Sequence, residues 1–299
     1  MSITEDHRPR LAIAGMGFIG RRVAEAALAR GWDVTGLDLH PQEQDGVRLV
    51  TGSANDTDAL VQLTEGATHV VFAAGSTKPA ESDDDPVTYA ANNLTPLLTC
   101  LDATAAAGAR GFTFLSSGGT VYGPDAPVPT PEGAPLWPIS SYGIMKAAAE
   151  QYVAMHARHD GFSADILRCA NVFGPGEPTT GSQGLIGIAR ANLSAGRPLT
   201  VFGDGSARRD YLHVDDLASV VVALAEDPAG IRVLNVGSGH SVSVSEIVAT
   251  LACELGVEPE IDWRPARHSD LAVSELDIAR LRKILPFEPR SIAERTVRR

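Results

Sequence analysis

The sequence predicts an α/β fold: a doubly wound parallel sheet with a smaller C-terminal α/β part. Three observations predict it. Short apolar runs alternate with Ala-rich segments of helical period through the first half of the chain, as in successive βαβ units. A glycine turn, Gly15-Met16-Gly17-Phe18-Ile19-Gly20, joins the first such run to the first helical segment. From Phe173 to Gly184 the texture changes, with Gly and Pro becoming dense.

The elements follow in order. Leu11–Ala14 reads as a short buried strand, and the glycine turn leads into a helix that runs to about Arg30, where Gly31 ends it. Trp32–Leu37 and His69–Ala73 are further strands, and Val87–Ala107 is a long helix closed by Gly108. Gly111–Ser117 is an apolar strand ending in two serines. A Pro-rich connection, Pro124–Pro138, precedes a helix from about Ser140 to Arg158, and Ala164–Cys169 is the next strand. Later come a helix near Leu185–Ala195, a strand at Leu199–Phe202, a helix at Val214–Ala225, a strand at Val233–Val236 and a helix at Val244–Leu255. The Arg-rich tail carries one short helix. The larger, Rossmann-type part is expected over 1–173 with returning elements at about 211–238, and the smaller part over 174–210 and 239–299.

Composition narrows the function. The chain has 299 residues, 44% hydrophobic and 21% charged, which suits a folded core and excludes bulk disorder. A net charge of −12 argues against a nucleic-acid or anionic-membrane partner. The longest apolar runs fall short of the roughly 20 residues that span a bilayer, and the polar start resembles no signal peptide. Three scattered cysteines form neither a metal spacing nor a disulfide framework, and a cytoplasmic location is expected. His156 and His159 share a helix with no third ligand nearby in sequence, so no metal is expected.

The glycines of the turn permit close backbone approach, and a pyrophosphate can sit on the helix N-terminus behind them. Asp38, 18 residues past Gly20, ends the second strand, where a carboxylate can accept both ribose hydroxyls of an adenosine. It would repel a 2′-phosphate, and no Lys or Arg lies between Trp32 and Val47 to neutralise one, so NAD is expected over NADP. Tyr142 and Lys146, spaced i, i+4, share one helix face. With five tyrosines and only Lys78, Lys146 and Lys283 as lysines, chance supplies roughly 0.05 such pairs, so the spacing is informative. A phenol working as a base near neutrality needs about 4 kcal/mol of help, and one cation at ~6 Å supplies about 2.8 kcal/mol. Lysine alone is not enough; lysine with a positive nicotinamide ring is.

Together with Ala73-Ala74-Gly75, Asn93, Ser116-Ser117-Gly118-Gly119-Thr120-Val121-Tyr122-Gly123, Arg168-xx-Asn171-Val172-Phe173-Gly174-Pro175-Gly176, Phe202-Gly203-Asp204-Gly205 and Arg209-Asp210-Tyr211, these motifs occur in an order that resembles the extended short-chain dehydrogenase/reductase family. The branch is that of NAD-dependent nucleotide-sugar epimerases and dehydratases. The resemblance implies that Gly15, Gly17, Phe18, Ile19 and Gly20 hold the pyrophosphate and Asp38 the ribose. Ala73, Ala74 and Gly75 would line the dinucleotide, with Asn93 supporting them and Ser116 nearby. Tyr142 would be the base and Lys146 would grip the nicotinamide ribose. Asn171 would touch the sugar nucleotide's phosphates, Phe202 its base, and Arg209 and Arg267 its diphosphate. The implied reaction is 4-epimerisation of a UDP-hexose through a 4-keto sugar, and the implied assembly is a homodimer built on Val87–Ala107 and Ser140–Arg158.

Three positions depart from the family pattern. Ala14 and Ser53 stand where a glycine and an acidic residue are usual, and Gly118 stands where the catalytic Ser or Thr falls. Thr120, two residues on, is expected on the same side of an extended segment and takes the hydroxyl role. Ser117 is the other candidate, should the Gly-Gly turn redirect it, and is expected at the substrate. Alternatives to the epimerase are a 4,6-dehydratase, a 4-keto-sugar reductase, and a non-catalytic NAD-sensing protein. The dehydratase is disfavoured because Gly119 and Thr120 replace the Asp-Glu typical of that branch.

Overall fold

The computed structural model describes residues 8–75, 82–180, 184–266, 271–290 and 292. Its main sheet has seven strands: β1 (Arg10–Ala14), β2 (Asp33–Asp38), β3 (Val47–Thr51), β4 (His69–Phe72), β5 (Gly111–Ser117), β6 (Ser163–Cys169) and β10 (Ile231–Val236). The order is β10-β6-β5-β4-β1-β2-β3 and every pairing is parallel. The chain winds outward from β1 in both directions, so the switch point lies between β1 and β4. Ligands of such sheets sit there, beyond the carboxyl ends of the strands.

Alternation puts both faces of the sheet in a core. In β1, Leu11 and Ile13 join one cluster while Ala12 and Ala14 join the other. Helix α1 (Phe18–Ala29) packs against α6 (Val214–Glu226) on the first face. Helices α2 (Thr57–Thr64), α3 (Pro86–Ala106) and α4 (Ser141–Asp160) cover the second. A strand with two apolar faces needs exactly such a two-sided cover, which is why these runs read as continuous.

The smaller part has its own core around Phe173, Ile186, Leu193, Val201, Tyr211 and Leu251. Strands β7 (Asn171–Phe173), β9 (Arg208–His213), β11 (Ser241–Ser243) and β13 (Val273–Ser274) form one sheet, and β8 (Leu199–Phe202) pairs with β12 (Ile261–Arg264). Helix α5 (Leu185–Ser194) packs on α7 (Val244–Leu255), whose start is fixed by a reciprocal cap between Ser243 and Glu246. A last helix, α8 (Ala279–Ile284), lies against β10. The division expected after residue 173 falls at the end of β7, which already pairs with β9 instead of the large sheet.

Candidate active site

The glycine turn is built by close approach. The Gly15 amide donates to the Leu37 carbonyl at 2.8 Å, and a Cβ on Gly15 would stand 2.5 Å from the Ala74 nitrogen. With φ at +97°, only glycine is at ease there. Gly17 caps α1 without any side-chain hydrogen bond, and a Cβ placed on it would meet open space. The first turn of α1 is therefore open to an anion. Beside it, a cavity of about 550 Å³ is lined by Met16, Gly17, Phe18, Asp38 and His40, with Gly176 of the smaller part.

Asp38 ends β2 at this cavity, and its carboxylate accepts the Met16 amide at 2.9 Å and the His40 amide at 3.0 Å. Each oxygen keeps a further lone pair for a hydroxyl. Arg21 and Arg22 also line the cavity, reaching it from α1. They lie outside residues 32–47 in sequence, and α1 brings them to the cavity. Arg21 is tied to Gln42 at 2.9 Å and Arg22 to Asp215 at 3.0 Å. Ile19 packs against the core beneath the turn, and Ala73 and Ala74 follow β4 across the switch point. Asn93 on α3 is buried, with its carboxamide oxygen against Gly75 and its nitrogen donating to the Tyr89 carbonyl at 2.8 Å.

At the end of β5 the chemistry-bearing groups converge. Helix α4 is set by its N-terminus: Ser140 caps the Gly143 amide, and Ser82 and Asp83 accept the Tyr142 and Ser141 amides. Gly143 lets this helix approach closely, since a Cβ there would stand 2.7 Å from the Thr120 carbonyl oxygen. Tyr142 and Lys146 then project together, with Nζ of Lys146 5.8 Å from the Tyr142 ring centre and 2.7 Å from the Leu115 carbonyl oxygen. Burial pushes the Tyr142 phenol up to about 12, against a hydrogen bond from Ser117 that pulls it down. Burial also brings Lys146 down to about 8, opposed by the thiol of Cys169 and the carboxylate of Glu150. The Cys169 thiol, across from Ser117 on β6, is itself pushed up to about 12 by burial and stays neutral.

The hydroxyl beside Tyr142 is that of Ser117. Thr120 turns away from the extended path: its amide and that of Val121 both donate to the Ser117 carbonyl at 3.2 Å, and its own hydroxyl points at the same carbonyl at 3.5 Å. The strand ends at Ser117, so the alternation expected to carry Thr120 to the base stops there. Ser116, expected near the cofactor, is buried and donates to Glu150 Oε1 at 2.5 Å, leaving only its backbone for a ligand. Leu276 explains Gly118. A Cβ there would stand 2.6 Å from Leu276 Cδ1 and 3.0 Å from the Arg168 carbonyl oxygen.

In the smaller part, Asn171 is exposed on β7 with its carboxamide oxygen close to Gly119. Arg209 on β9 donates to the Leu271 carbonyl at 2.6 Å, and Phe202 is 37% exposed at the end of β8. Arg267 lies outside the described residues. Glu177 is a residue that sequence reasoning missed. Burial raises its carboxyl to about 7, against hydrogen bonds from the Gly187 and Gly174 amides. It follows the Gly174-Pro175-Gly176 turn directly in sequence, just past the end of the recognisable motif. Among the described residues no group of three His, Cys, Asp or Glu side chains is placed to hold a metal, and no helix is long and apolar enough to cross a membrane.

Residues 11–237, most of the chain, match the family model described as the NAD-dependent epimerase/dehydratase family. The chain belongs to this family. It is 34% identical over 290 residues to a UDP-glucose 4-epimerase of Mycolicibacterium smegmatis, covering 93% of each chain. Its fold matches the crystal structure of the UDP-glucose 4-epimerase of Thermotoga maritima with UDP-glucose at a TM-score of 0.91 and 29% identity, over 96% of each chain. The Thermus thermophilus UDP-glucose 4-epimerase in complex with NAD matches at 0.89 and 29%, again over 96% of each. The cofactor is NAD, as in the family. The uncapped α1, the open space at Gly17 and the Asp38 carboxylate at the cavity fit its pyrophosphate and adenosine ribose.

Proposed function

We propose that this protein is an NAD-dependent nucleotide-sugar 4-epimerase whose substrate is a UDP-hexose. The observation that carries the reading is the grouping of Tyr142, Ser117 and Lys146 at the carboxyl end of β5, beside the α1 cradle. The UDP-glucose 4-epimerases at 34% and 29% identity support the substrate class. In this reading Tyr142 takes the proton of the sugar 4-hydroxyl, Ser117 holds the phenol and that hydroxyl in line, and Lys146 binds the nicotinamide ribose. Bound NAD would supply a reversible hydride acceptor for the sugar C4 and the positive charge that the phenol still lacks, so that a 4-keto sugar could be reduced on either face. Bringing a phenol from about 12 to about 7 takes about 7 kcal/mol. Lys146 meets less than half of that. The base is therefore inert until cofactor is bound, which protects the site from idle proton transfer.

Gly15, Gly17, Phe18, Ile19 and Gly20 would hold the pyrophosphate, Asp38 the ribose, and Ala73, Ala74, Gly75 and Asn93 the nicotinamide side. Asn171 and Arg209 would meet the diphosphate of the substrate, where a guanidinium fork matches phosphate oxygens, and Phe202 its base. The large sheet would form the NAD-binding part and the two small sheets the nucleotide-sugar part. A homodimer in the cytoplasm completes the reading, in keeping with three free cysteines. Purified protein incubated with UDP-glucose should yield UDP-galactose, read by chromatography. Tyr142→Phe should abolish turnover while NAD affinity stays within a few-fold. Turnover within tenfold of the parent would overturn the assignment of the base.

A further inference from the structure

Behind the Tyr142–Lys146 pair lies a buried ionic cluster that the reaction as drawn does not use. Glu150 follows Lys146 by one helical turn and is 1% exposed. Its carboxylate accepts Ser116 Oγ at 2.5 Å, Arg168 Nε at 3.0 Å and Arg168 Nη2 at 2.7 Å. Arg168 turns its remaining nitrogen away from the site, to the Tyr122 hydroxyl and the Glu132 carbonyl, each at 3.0 Å. Tyr122 in turn donates to Asn235 Oδ1 at 2.6 Å. The cluster thus ties α4 to β5, β6, β10 and the turn after β5, with the negative end of the ion pair at the Lys146 end of the chain of contacts.

We propose that Glu150 is a positioning residue for the Tyr142–Lys146 pair: its carboxylate, clamped by Arg168 and Ser116, keeps the Lys146 ammonium charged and aimed at the site. The inference rests on the role of Lys146 proposed above. The ammonium donates a hydrogen bond to the Leu115 carbonyl and faces the Phe114 ring at 4.8 Å, contacts that suit the charged form, while burial pulls the other way and favours the neutral amine. The titratable and charged groups around it are Tyr142 and Glu150 on its own helix, Cys169 and Arg168 on β6, and Tyr89 on α3 behind Tyr142; β5 offers only Ser117 and the Leu115 carbonyl. Cys169 is neutral at working pH and Arg168 is spoken for by the carboxylate. Of the two groups that oppose desolvation at Lys146, Cys169 and Glu150, Glu150 is the one that carries a charge at neutral pH. A buried ion pair is poor evidence for stability, because desolvation offsets its attraction, so a role in orienting and charging a neighbour is a better account of this one.

The chain has only three lysines, which makes the test direct. In NAD-saturated protein carrying 13C-labelled lysine, the Lys146 side-chain signal is assigned by its loss in Lys146→Met and followed through a pH titration. Glu150→Gln is expected to move its midpoint down by about half a pH unit or more. Lys78 and Lys283 should stay put. The alkaline limb of kcat should shift by the same amount with KM little changed, and Glu150→Asp should restore part of it. If Glu150→Gln does not fold, Glu150→Gln with Arg168→Met leaves no buried charge unpaired and is expected to shift in the same direction. An unmoved midpoint with lower activity would overturn the proposal and leave a structural role alone. If Lys146→Met turns over UDP-glucose normally, the reading of Lys146 fails instead, whatever Glu150 does to the titration.

Discussion

Single atoms decide the chemistry at the end of β5. Ser117 and Thr120 are three residues apart, yet it is the Ser117 hydroxyl that pulls the Tyr142 phenol down, while that of Thr120 points at the Ser117 carbonyl. Ser117→Ala should therefore lower kcat by roughly 30- to 1000-fold, the effect of losing about 2–4 kcal/mol of transition-state hydrogen bonding. Thr120→Val should stay within a few-fold of the parent, and Ser117→Thr should keep most activity; steady-state rates with UDP-glucose check all three. A crippled Thr120→Val beside a healthy Ser117→Ala would return the role to Thr120. Tyr142, Lys146, Asp38 and the glycines were legible because each is a residue type at a spacing. Ser117 was legible only as the second candidate after Thr120, because the turn that ends the strand is made by backbone hydrogen bonds to a carbonyl that any residue carries. Gly118 was legible only as a departure. Its cause, Leu276, lies more than 150 residues away in sequence. Gly118→Ser should lower the Tm, and adding Leu276→Ala should recover only part of the loss. The side chain can be removed, but the Arg168 carbonyl at 3.0 Å cannot.

At the scale of elements, strong periodicity was readable and short or half-exposed pieces were not. Gly111–Ser117 and Leu199–Phe202 carry the bounds expected of them, since apolar runs between turn residues leave little choice. β3 and α2 escaped notice: Val47–Thr51 buries only Val50, and Thr57–Thr64 is two turns long. The short strands β7, β11 and β13 exist only through their pairing with β9, which no local pattern reveals. The start of β4 holds a different lesson. His69 is buried there, with Nε2 2.8 Å from Thr113 Oγ1 and Nδ1 without a hydrogen-bond partner, and burial followed by the nearby charge of Arg232 drives its pKa down to about 3. An unfolded chain takes up this proton near pH 6.5, whereas the folded chain refuses it. Its contribution to stability is therefore whole above pH 6.5. It falls by about 1.4 kcal/mol per pH unit below that, levelling off near pH 3. Urea denaturation of the parent and of His69→Asn at pH 7.5, 6 and 5 should show the gap between them narrowing as pH falls. A constant gap would mean that the imidazole is not held neutral.

Among the described residues, one apolar face on α3 and α4 is partly exposed. Helices α3 and α4 pack on each other over the sheet, and each carries a second apolar stripe. On α3 it runs through Val87, Ala91, Leu94 and Leu98; on α4 through Ile144, Ala148, Tyr152 and Met155, both at helical spacing. Leu97, Leu101 and Val153 face the core, and Leu94 and Leu98 are half-buried at its margin. The ends of the stripes are open to solvent: Val87 is 80% exposed, Ile144 56% and Met155 48%. A contiguous apolar strip on two adjacent helices is the kind of surface that a second copy covers by a two-fold axis, each stripe meeting its mate. Light scattering after size exclusion should accordingly give twice the chain mass at micromolar concentration, and Ile144→Asp with Met155→Glu should give a folded monomer. Because α4 also carries Tyr142 and Lys146, that monomer should lose turnover along with its partner, through looser placement of the pair rather than through loss of either group. A parent protein that runs as a monomer would refute the dimer. A monomeric variant with full activity would show that α4 holds its catalytic face without help from the other copy.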